Sequence, residues 1–366
     1  MKHLLRIFLV SFAMLAGVVT IAAGYGGMVN PLSTTLPALI AMTFPVCLLV
    51  DIALILVGLL FCCRAAAVIV LSIAVTAGPL LTFCPVHFGD RAPEGDAPEL
   101  RVMTYNVMQL DDYTRLHNTP ASNPTMQFIL GSDADIVALQ ECPTLRRAAN
   151  TDVRTSRGLL DSVAARYPYR AFGREGQALL SRYPFTEVAL SRKPDHSFQV
   201  RAYRIESPLG DITLFNLHLK SIGLTDGDKA LYRQWTDGEA ARGPIREELR
   251  ELRRDVLSKL SAAFRERAVQ ARAIREMIDS VGGTVMVCGD FNDIPGSYAA
   301  RKILATGLDD AYREAGCGPA ITYHASRFYF RIDHIFASPS LRPVDAFTLR
   351  NPTSDHYPVE AVFVGR

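Results

Sequence analysis

The sequence predicts an α/β protein, of the α+β type, in which an apolar amino-terminal region precedes one large soluble domain. The first 85 residues contain long apolar runs and only four charged side chains, Lys2, Arg6, Asp51 and Arg64. From Leu100 onward, short β-rich runs alternate with helical patterns. With 49% apolar residues and a mean hydropathy of +0.13, the 366-residue chain is too hydrophobic for a disordered protein. Its net charge of +2 does not indicate a strongly basic nucleic-acid binder.

Three transmembrane helices are predicted, over about residues 4–23, 36–63 and 65–83. Each run is near the length of about 20 residues that a helix needs to cross a hydrocarbon core. The first run could instead be a cleaved signal peptide, because its start is basic and small residues follow it. The alternative for all three is a set of buried globular helices.

Basic residues predict the orientation of these helices. Lys2 and Arg6 precede the first span and Arg64 lies between the second and third, so these ends are expected inside the cell. Three crossings then place the large domain outside. We therefore expect a multi-pass protein of the bacterial cytoplasmic (inner) membrane with a periplasmic domain. Asp51, within the second span, either has a functional role or faces a neighbouring helix.

Residues 86–99 contain Pro, Gly and several acids, and they are predicted to link the membrane region to a domain over 100–366. The soluble part has three cysteines and no C-x-x-C metal-binding spacing. An exported domain could oxidise two of Cys142, Cys288 and Cys317, although the apolar run before Cys288 favours a buried thiol.

The regular elements of the domain follow from its hydrophobic patterns. Strands are predicted at 100–107, 135–139, 178–181, 200–206, 211–219, 284–288, 331–337 and 359–364. Pro208, Leu209 and Gly210 are typical of a hairpin turn. Apolar residues at three- and four-residue spacing predict a long helix over 245–280. Its basic residues form either a solvated face or a surface for phosphate or lipid headgroups.

Polar side chains stand at or just after the ends of these strands. They are Asn106, Glu141, His218, Asp290, Asn292, Asp333, Asp355 and His356. Taken singly, each is explained by a turn or a loop hydrogen bond. If the strands pack side by side, however, all of these groups converge at one edge of the core.

The chemistry of this set favours a hard metal ion. It offers carboxylate and amide oxygens with no cysteine, which suits Mg²⁺, or Mn²⁺, better than Zn²⁺. A divalent ion neutralises phosphoryl oxygens, a carboxylate deprotonates water, and an imidazolium holds developing negative charge. These roles together predict metal-dependent hydrolysis of a phosphoester.

Seven motifs in order resemble the endonuclease/exonuclease/phosphatase superfamily, from residue 100 to the carboxyl terminus. They are Thr-Tyr-Asn106-Val, Leu-Gln-Glu141, Leu-Leu-Ser181-Arg-Tyr-Pro, Asn-Leu-His218-Leu, Gly-Asp290-Phe-Asn292-Asp, Arg-Ile-Asp333-His-Ile-Phe and Ser-Asp355-His356-Tyr-Pro-Val. The three amino-terminal spans also look like those of membrane-attached members in Bacteroidetes-type bacteria. The resemblance implies a four-layer αββα sandwich with two packed mixed β-sheets.

The resemblance also implies a role for each residue. Glu141 is the principal metal ligand, with Asn106 and Asp355 close to the ion or its waters. In the catalytic set, Asp290 activates water, Asn292 holds a phosphate oxygen or the nucleophile, Asp333 orients His356, His356 stabilises the phosphoryl group, and His218 contacts the phosphate or assists the leaving group.

Two departures from the family pattern disfavour DNA repair. Met108 replaces the acid of apurinic endonucleases, and the carboxylate that supports the second histidine in pancreatic-type deoxyribonucleases has no clear counterpart near Gly176, Gln177 and Ala178. His334, by strand alternation, is expected to point away from the site and to be structural.

The substrate stays open at this level. It is a lipid headgroup, an inositol phosphate or an extracytoplasmic nucleic acid, on which the protein would act as a nuclease. Residues 221–242 form either a recognition loop or an ordinary surface excursion. A catalytically silent phosphate-binding membrane receptor is the alternative from another class.

Overall fold

The structure is a computed structural model that describes residues 2–87, 97–110, 123–149, 154–191, 198–223, 245–325 and 329–366. Two predicted segments lie largely outside these residues. They are the linker over 86–99 and the recognition loop over 221–242.

The amino-terminal region is helical. Its helices are α1 (Lys2–Tyr25), a short 3₁₀ helix (Gly26–Met28), α2 (Leu36–Ala41), α3 (Phe44–Phe61), α4 (Cys63–Val75) and α5 (Ala77–Phe83). Two helices are long and apolar enough to cross a membrane, the one at His3–Met28 and α3. The pair α4 and α5, bent by 70°, makes a third span if it is counted as one.

Proline explains why two predicted spans are broken. The predicted second span divides into α2 and α3, and α3 begins with Pro45 in its first turn, where the missing N–H has no intrahelical partner to lose. In the third span, Pro79 cannot donate to the carbonyl of Val75, four residues earlier. The hydroxyl of Tyr25 donates to that carbonyl instead, at 2.7 Å.

The helices pack closely against one another. Asp51 is fully buried and accepts a hydrogen bond from Thr20 Oγ1 on α1 at 2.8 Å, so it faces a neighbouring helix. A Cβ at Gly58 would lie 2.7 Å from the backbone nitrogen of Ala66, which only glycine avoids. The outward faces are apolar, with Leu60 77% exposed.

Twelve strands in the described residues form two six-stranded mixed sheets. They are β1 (Glu99–Asn106), β2 (Ile136–Gln140), β3 (Tyr169–Phe172), β4 (Ala178–Ser181), β5 (Phe185–Val188), β6 (Gln199–Ser207), β7 (Gly210–His218), β8 (Thr284–Asp290), β9 (Asp309–Asp310), β10 (Asp333–Ala337), β11 (Leu341–Thr348) and β12 (Val359–Gly365). Sheet A has the order β11-β12-β1-β2-β4-β3, and sheet B the order β5-β6-β7-β8-β10-β9. The pairs β1–β2 and β7–β8 are parallel, and the others are antiparallel.

The eight predicted strands are confirmed, and the four that sequence reasoning missed are the four edge strands β3, β5, β9 and β11. Edge strands are short or half-exposed, so their apolar pattern is weak. Strand β9 has only two residues, and β11 contains Pro343 beside a register shift. Proline is tolerated at such an edge because no ladder hydrogen bond is lost.

The domain has four layers, as the resemblance implied. One apolar core lies between the sheets, from Val102 and Ile136 on sheet A to Leu214 and Met286 on sheet B. The outer face of sheet A packs on α6 (Pro124–Gly131), α7 (Pro143–Ala149) and α8 (Arg154–Arg166). The outer face of sheet B packs on α9 (Ile245–Val281) and α10 (Tyr298–Leu304), and a short α11 (Ala311–Ala315) follows β9.

Candidate active site

Strand register places three predicted site residues in one row across sheet B. His218, the last residue of β7, pairs with Asp290, the last residue of β8, along the parallel ladder. Asp290 pairs in turn with Asp333, the first residue of the antiparallel β10. The carboxyl ends of β1 and β2 bring Asn106 and Glu141 to the same edge from sheet A. The predicted convergence of these side chains at one edge is therefore observed.

Gly289 allows this row to form. Its φ is 143°, and a Cβ there would lie 2.0 Å from the carbonyl oxygen of Leu217. No other residue fits so close to the neighbouring backbone. The glycine before Asp290 thus lets β8 end tightly against β7, which fixes the position of the carboxylate.

His356 forms a buried ion pair with Asp333. Its Nδ1 lies 2.8 Å from Asp333 Oδ2, and its Nε2 lies 3.7 Å from Asp290 Oδ2. Burial lowers the pKa of His356, but the carboxylates of Asp333, Asp290 and Asp355 outweigh it and raise the pKa to about 10. His356 is therefore held as an imidazolium over the physiological pH range.

His218 has a different support. Its Nδ1 lies 3.0 Å from Gln199 Oε1, and since this amide oxygen only accepts, Nδ1 donates. Its Nε2 lies 3.7 Å from both Asp290 Oδ2 and Glu141 Oε1 and has no hydrogen-bond partner. The imidazole thus directs one unsatisfied nitrogen toward two carboxylates.

Asn106 connects the carboxylates of the two sheets. Its Nδ2 donates to Asp290 Oδ2 at 2.9 Å and to Glu141 Oε1 at 3.2 Å, and its Oδ1 accepts from the backbone of Met108. Glu141 has a φ of 51°, a left-handed conformation that is uncommon for a residue with a side chain. Such backbone conformations cluster at functional sites.

The two remaining predicted residues lie at the rim. The backbone N–H of Asn292 donates to Asp290 Oδ1 at 2.8 Å, but its side-chain amide donates to the carbonyl of Leu219. Asp355 is half-buried, and its charge helps to raise the pKa of His356. All eight predicted site residues therefore belong to one cluster.

Sequence reasoning missed Gln199 and Tyr323. The sequence offers no clear carboxylate near Gln177 to support His218, and in the structure the support is the amide of Gln199 on β6, directly opposite His218 in the hairpin. The register of a hairpin with its turn at residues 208–210 places Gln199 opposite His218, so the predicted turn could have identified this residue.

Tyr323 forms a β-bridge with His356, and the two rings lie 5.0 Å apart. Burial and the charges of Asp355, Asp290 and Glu141 raise the pKa of Tyr323 to about 12.

His334 is structural, as strand alternation predicted. Its Nε2 donates to the carbonyl of Asp293 at 3.0 Å, and its ring packs 5.0 Å from that of Phe291. Burial and Arg331 lower its pKa to about 4. All seven cysteines are free thiols, and Cys288 is fully buried as expected.

The donor set fits a hard divalent cation. The carboxylates of Asp290 and Asp333 and a ring nitrogen of His356 lie within 4.8 Å of one another. Because His356 is held as an imidazolium, the two carboxylates are the donors in this group that are available to a cation. Asp333 Oδ1 is buried without a hydrogen-bond partner. Carboxylates concentrated in this way favour a cation with oxygen ligands. The group of Asp290, Asp333 and His356 differs from the predicted metal set of Glu141, Asn106 and Asp355. Asn106 connects the two groups, because it donates to both Asp290 and Glu141.

Known structures of similar fold come from several organisms. An endonuclease/exonuclease/phosphatase from Beutenbergia cavernae is 18% identical with a TM-score of 0.47, covering 73% of this chain and 72% of that chain. An endonuclease/exonuclease/phosphatase family protein from Bacteroides thetaiotaomicron is 18% identical with a TM-score of 0.47, and the match covers 74% of this chain and 99% of that chain. An AP endonuclease from Archaeoglobus fulgidus is 19% identical with a TM-score of 0.46, and the match covers 72% of this chain and 99% of that chain.

No protein of curated function matches the sequence. The model of the Endonuclease/Exonuclease/phosphatase family matches residues 103–356, which include every predicted site residue. This match covers more than half of the chain. The chain therefore belongs to the endonuclease/exonuclease/phosphatase family.

Proposed function

We propose that the protein is a membrane-anchored, divalent-metal-dependent phosphoesterase that hydrolyses a phosphodiester or phosphomonoester by in-line attack of water. The observation that carries this proposal is the continuous row of His218, Asp290 and Asp333. His356 completes the row, with Nε2 3.7 Å from Asp290 Oδ2. A general base, a fixed cation and a second imidazole thus surround one small space.

Asp290 is the proposed general base. It lies between the two histidines, and the backbone N–H of Asn292 and the amide of Asn106 hold its two oxygens in place. A carboxylate so fixed can take the proton of a water as the water oxygen bonds to phosphorus. The water therefore gives its proton to Asp290 and bonds to phosphorus in one step with a fixed orientation.

The two histidines act on the negative charge that develops at two different oxygens. His356, an imidazolium held by Asp333, donates a hydrogen bond from its Nε2–H to a phosphoryl oxygen as negative charge develops there, and it keeps its proton. When the ester P–O bond breaks, the leaving alkoxide takes the Nε2 proton of His218 in its imidazolium form, while the Nδ1 proton stays hydrogen-bonded to Gln199. Asp290 then returns to His218 the proton that it took from water. Water therefore supplies the new P–O bond, and the alcohol leaves neutral.

Glu141, with Asn106 and Asp355 close to the ion or its waters, would hold Mg²⁺ or Mn²⁺. When bound, the ion neutralises charge on the phosphoryl and leaving oxygens. The carboxylates of Asp290, Asp333 and Glu141 outnumber the imidazolium of His356, which lies beside the first two, and this excess of negative charge supports a cation requirement.

The apolar helices support membrane anchoring, with the amino terminus inside and the domain in the periplasm of a bacterial cell. An alkaline phosphatase reporter fused after residue 99 tests this orientation, because the reporter is active only outside the cytoplasm. Reporter activity is expected after residue 99 and not after residue 63. The reverse pattern would contradict the orientation and would make nucleic acid the leading substrate.

The activity is tested with full-length protein in detergent and bis(p-nitrophenyl) phosphate as substrate. We expect turnover with Mg²⁺, none with a chelator, and a loss of about 10³-fold in Asp290→Asn. Asp279→Asn is the matched control, because Asp279 is an exposed acid on α9 that pairs with Arg275. Metal-independent turnover, or full activity in Asp290→Asn, would reject the mechanism.

A screen of DNA, RNA, sphingomyelin and inositol phosphates, with metal present and chelated, then separates the substrate classes. Turnover of a nucleic acid in preference to the others would support the nuclease alternative. Tight binding of a phosphoester without turnover of any member would support a silent receptor, with Asp290→Asn leaving that binding unchanged.

A further inference from the structure

A cavity of ≈ 210 Å³ lies where the amino-terminal helices meet the catalytic domain. We call it the junction cavity. On the helix side it is lined by Gly24 at the end of α1, Met42 and Phe44 at the start of α3, and Pro79 on α5. These residues all lie at the end of the helical bundle nearest the domain. The wall on this side is apolar, so it suits a hydrocarbon chain.

The other wall of the junction cavity belongs to the loops of the active site. Ile294 follows Asn292 by two residues, Ile321 precedes Tyr323 by two, and Arg331 precedes Asp333 by two. Two residues of chain span at most ~7 Å. The cavity therefore lies directly beside the catalytic cluster, between it and the bundle.

Direct contacts hold the bundle and the domain in this arrangement. Arg331 Nη2 donates to the carbonyl of Thr82 on α5 at 3.0 Å, and Thr35 Oγ1 donates to Ser261 Oγ on α9 at 3.1 Å. A Cβ at Gly27 would lie 2.0 Å from the carbonyl oxygen of Gly296. The backbones of the helical region and the domain are therefore in direct contact at Gly27 and Gly296, and a side chain at position 27 would push them apart.

Basic groups line the apolar space. Arg331 is 3% exposed and is paired with Asp310, yet its Nε is buried without a hydrogen-bond partner. Arg301 also lines the cavity, and burial lowers the pKa of its guanidinium. A buried donor with no acceptor is costly, and a polar ligand would relieve that cost. The site thus combines an apolar wall with positive charge.

We propose that the junction cavity takes the part of a membrane lipid where the acyl chains join the headgroup, so that the substrate is a lipid phosphoester presented to Asp290 and His356 from the bilayer. This inference rests on the proposed phosphoesterase activity. The cavity exceeds the apolar volume of ~150 Å³ that takes up a benzene molecule, so it accommodates the first methylenes of an acyl chain. The remaining methylenes lie along the apolar outer faces of the helices.

Ile321 is the residue on the domain side best suited to a test. It is 39% exposed, so a charged replacement does not disturb a packed core. Ile321→Glu places a carboxylate where the acyl chain enters, and Ile321→Leu is its matched control. On the helix side, Met42→Trp fills the cavity, while Leu60→Trp puts the same ring on an outward face that is 77% exposed.

The experiment uses the full chain in nanodiscs of phosphatidylethanolamine, phosphatidylglycerol and phosphatidic acid with Mg²⁺. Release of phosphate or phosphorylated headgroup is compared with turnover of bis(p-nitrophenyl) phosphate by the same sample. Ile321→Glu and Met42→Trp are expected to lower lipid turnover about tenfold relative to diester turnover. Ile321→Leu and Leu60→Trp are expected to keep the wild-type ratio.

A phosphatidylglycerol with a diazirine near its acyl carbonyl supplies a second measurement. We expect it to label the peptide that contains Ile321, and we expect Met42→Trp to remove that label. Diester turnover without lipid turnover or cavity labelling overturns the lipid inference and leaves the phosphoesterase intact. Cavity labelling in a protein that hydrolyses neither substrate overturns both the proposed activity and the lipid as its substrate.

Discussion

The two histidines of the site stand on either side of Asp290 at the same distance, 3.7 Å, but in different surroundings. His356 is backed by the buried carboxylate of Asp333, whereas His218 is backed by the neutral amide of Gln199. A carboxylate fixes the orientation of the imidazole and also favours its charge. An amide oxygen fixes the orientation without adding a charge.

This difference in support fits the two different roles that we propose for His356 and His218. A permanently charged imidazolium is suited to stabilise negative charge on a phosphoryl oxygen, because it need not change protonation during turnover. An imidazole that is oriented by a neutral group is suited to exchange a proton with a leaving group. The proposed mechanism therefore separates electrostatic stabilisation from proton transfer.

The largest effect is expected from His356→Ala. The change removes the fixed positive charge and leaves Asp333 buried without its partner, so kcat should fall about 10³-fold with any leaving group. His334→Asn is the matched control, because His334 is equally buried but bonds only to the carbonyl of Asp293. Steady-state kinetics, with circular dichroism to confirm folding, measure the effect. Equal losses in both variants would show that burial alone explains it.

His218→Ala is expected to have the next largest effect, and it should depend on the leaving group. Loss of about 10²-fold is expected with an alkyl ester, whose alkoxide needs a proton, and a much smaller loss with a p-nitrophenyl ester, which does not. The measurement is kcat for a series of leaving groups of increasing acidity. A loss that stays constant across the series would contradict the proposed general acid.

Much of this fold was predictable because its central strands carry strong signals. Strands β2 and β8 are nearly continuous apolar runs, and β1, β2, β7 and β8 all end in polar residues. The buried environment of central strands selects apolar runs. The edge strands β3, β5, β9 and β11 are not under this selection, so the hydrophobic pattern of the sequence does not predict them. The breaks in the predicted spans were missed because the hydropathy of a window does not register where a proline interrupts the ladder of hydrogen bonds.

Asp333→Asn should sharpen the contrast between the histidines through pH. The pKa of His356 is raised to about 10 in the folded protein, so its ion pair stabilises the fold fully below pH 6.5 and loses that contribution as the pH rises through 10. In Asp333→Asn the basic limb of kcat/KM should move to lower pH by more than about one unit, with about a tenfold loss at neutral pH.

The measurement is kcat/KM against pH at saturating Mg²⁺, together with the denaturation midpoint of both proteins. The stability difference between wild type and Asp333→Asn should be largest below pH 6.5 and should disappear above pH 10. A basic limb that stays at the same pH in the variant would show that His356 is not the titrating group.

The site residues were predictable from the sequence, but their partners were not. Asn106, Asp290 and His356 stand next to apolar strands in motifs that keep the family order, so they are recognisable as a set although not singly. Gln199 has no such motif. It is identified only by the register of β6 and β7, where it lies opposite His218. The side chain of Asn292, expected to face substrate, instead bonds to Leu219, a contact that depends on tertiary packing.

The smallest effect, and the most direct test of the contrast, is expected from Gln199→Glu. This change gives His218 the kind of carboxylate support that His356 already has, without altering the size of the side chain. A charged partner should favour the imidazolium of His218, which would then release its proton less readily, so alkyl ester turnover should fall about tenfold. Gln199→Leu, which removes the hydrogen bond, should cause a similar loss but leave the pH profile in place. If Gln199→Glu moved neither kcat nor its pH profile, the division of roles between the two histidines would have no basis in their partners.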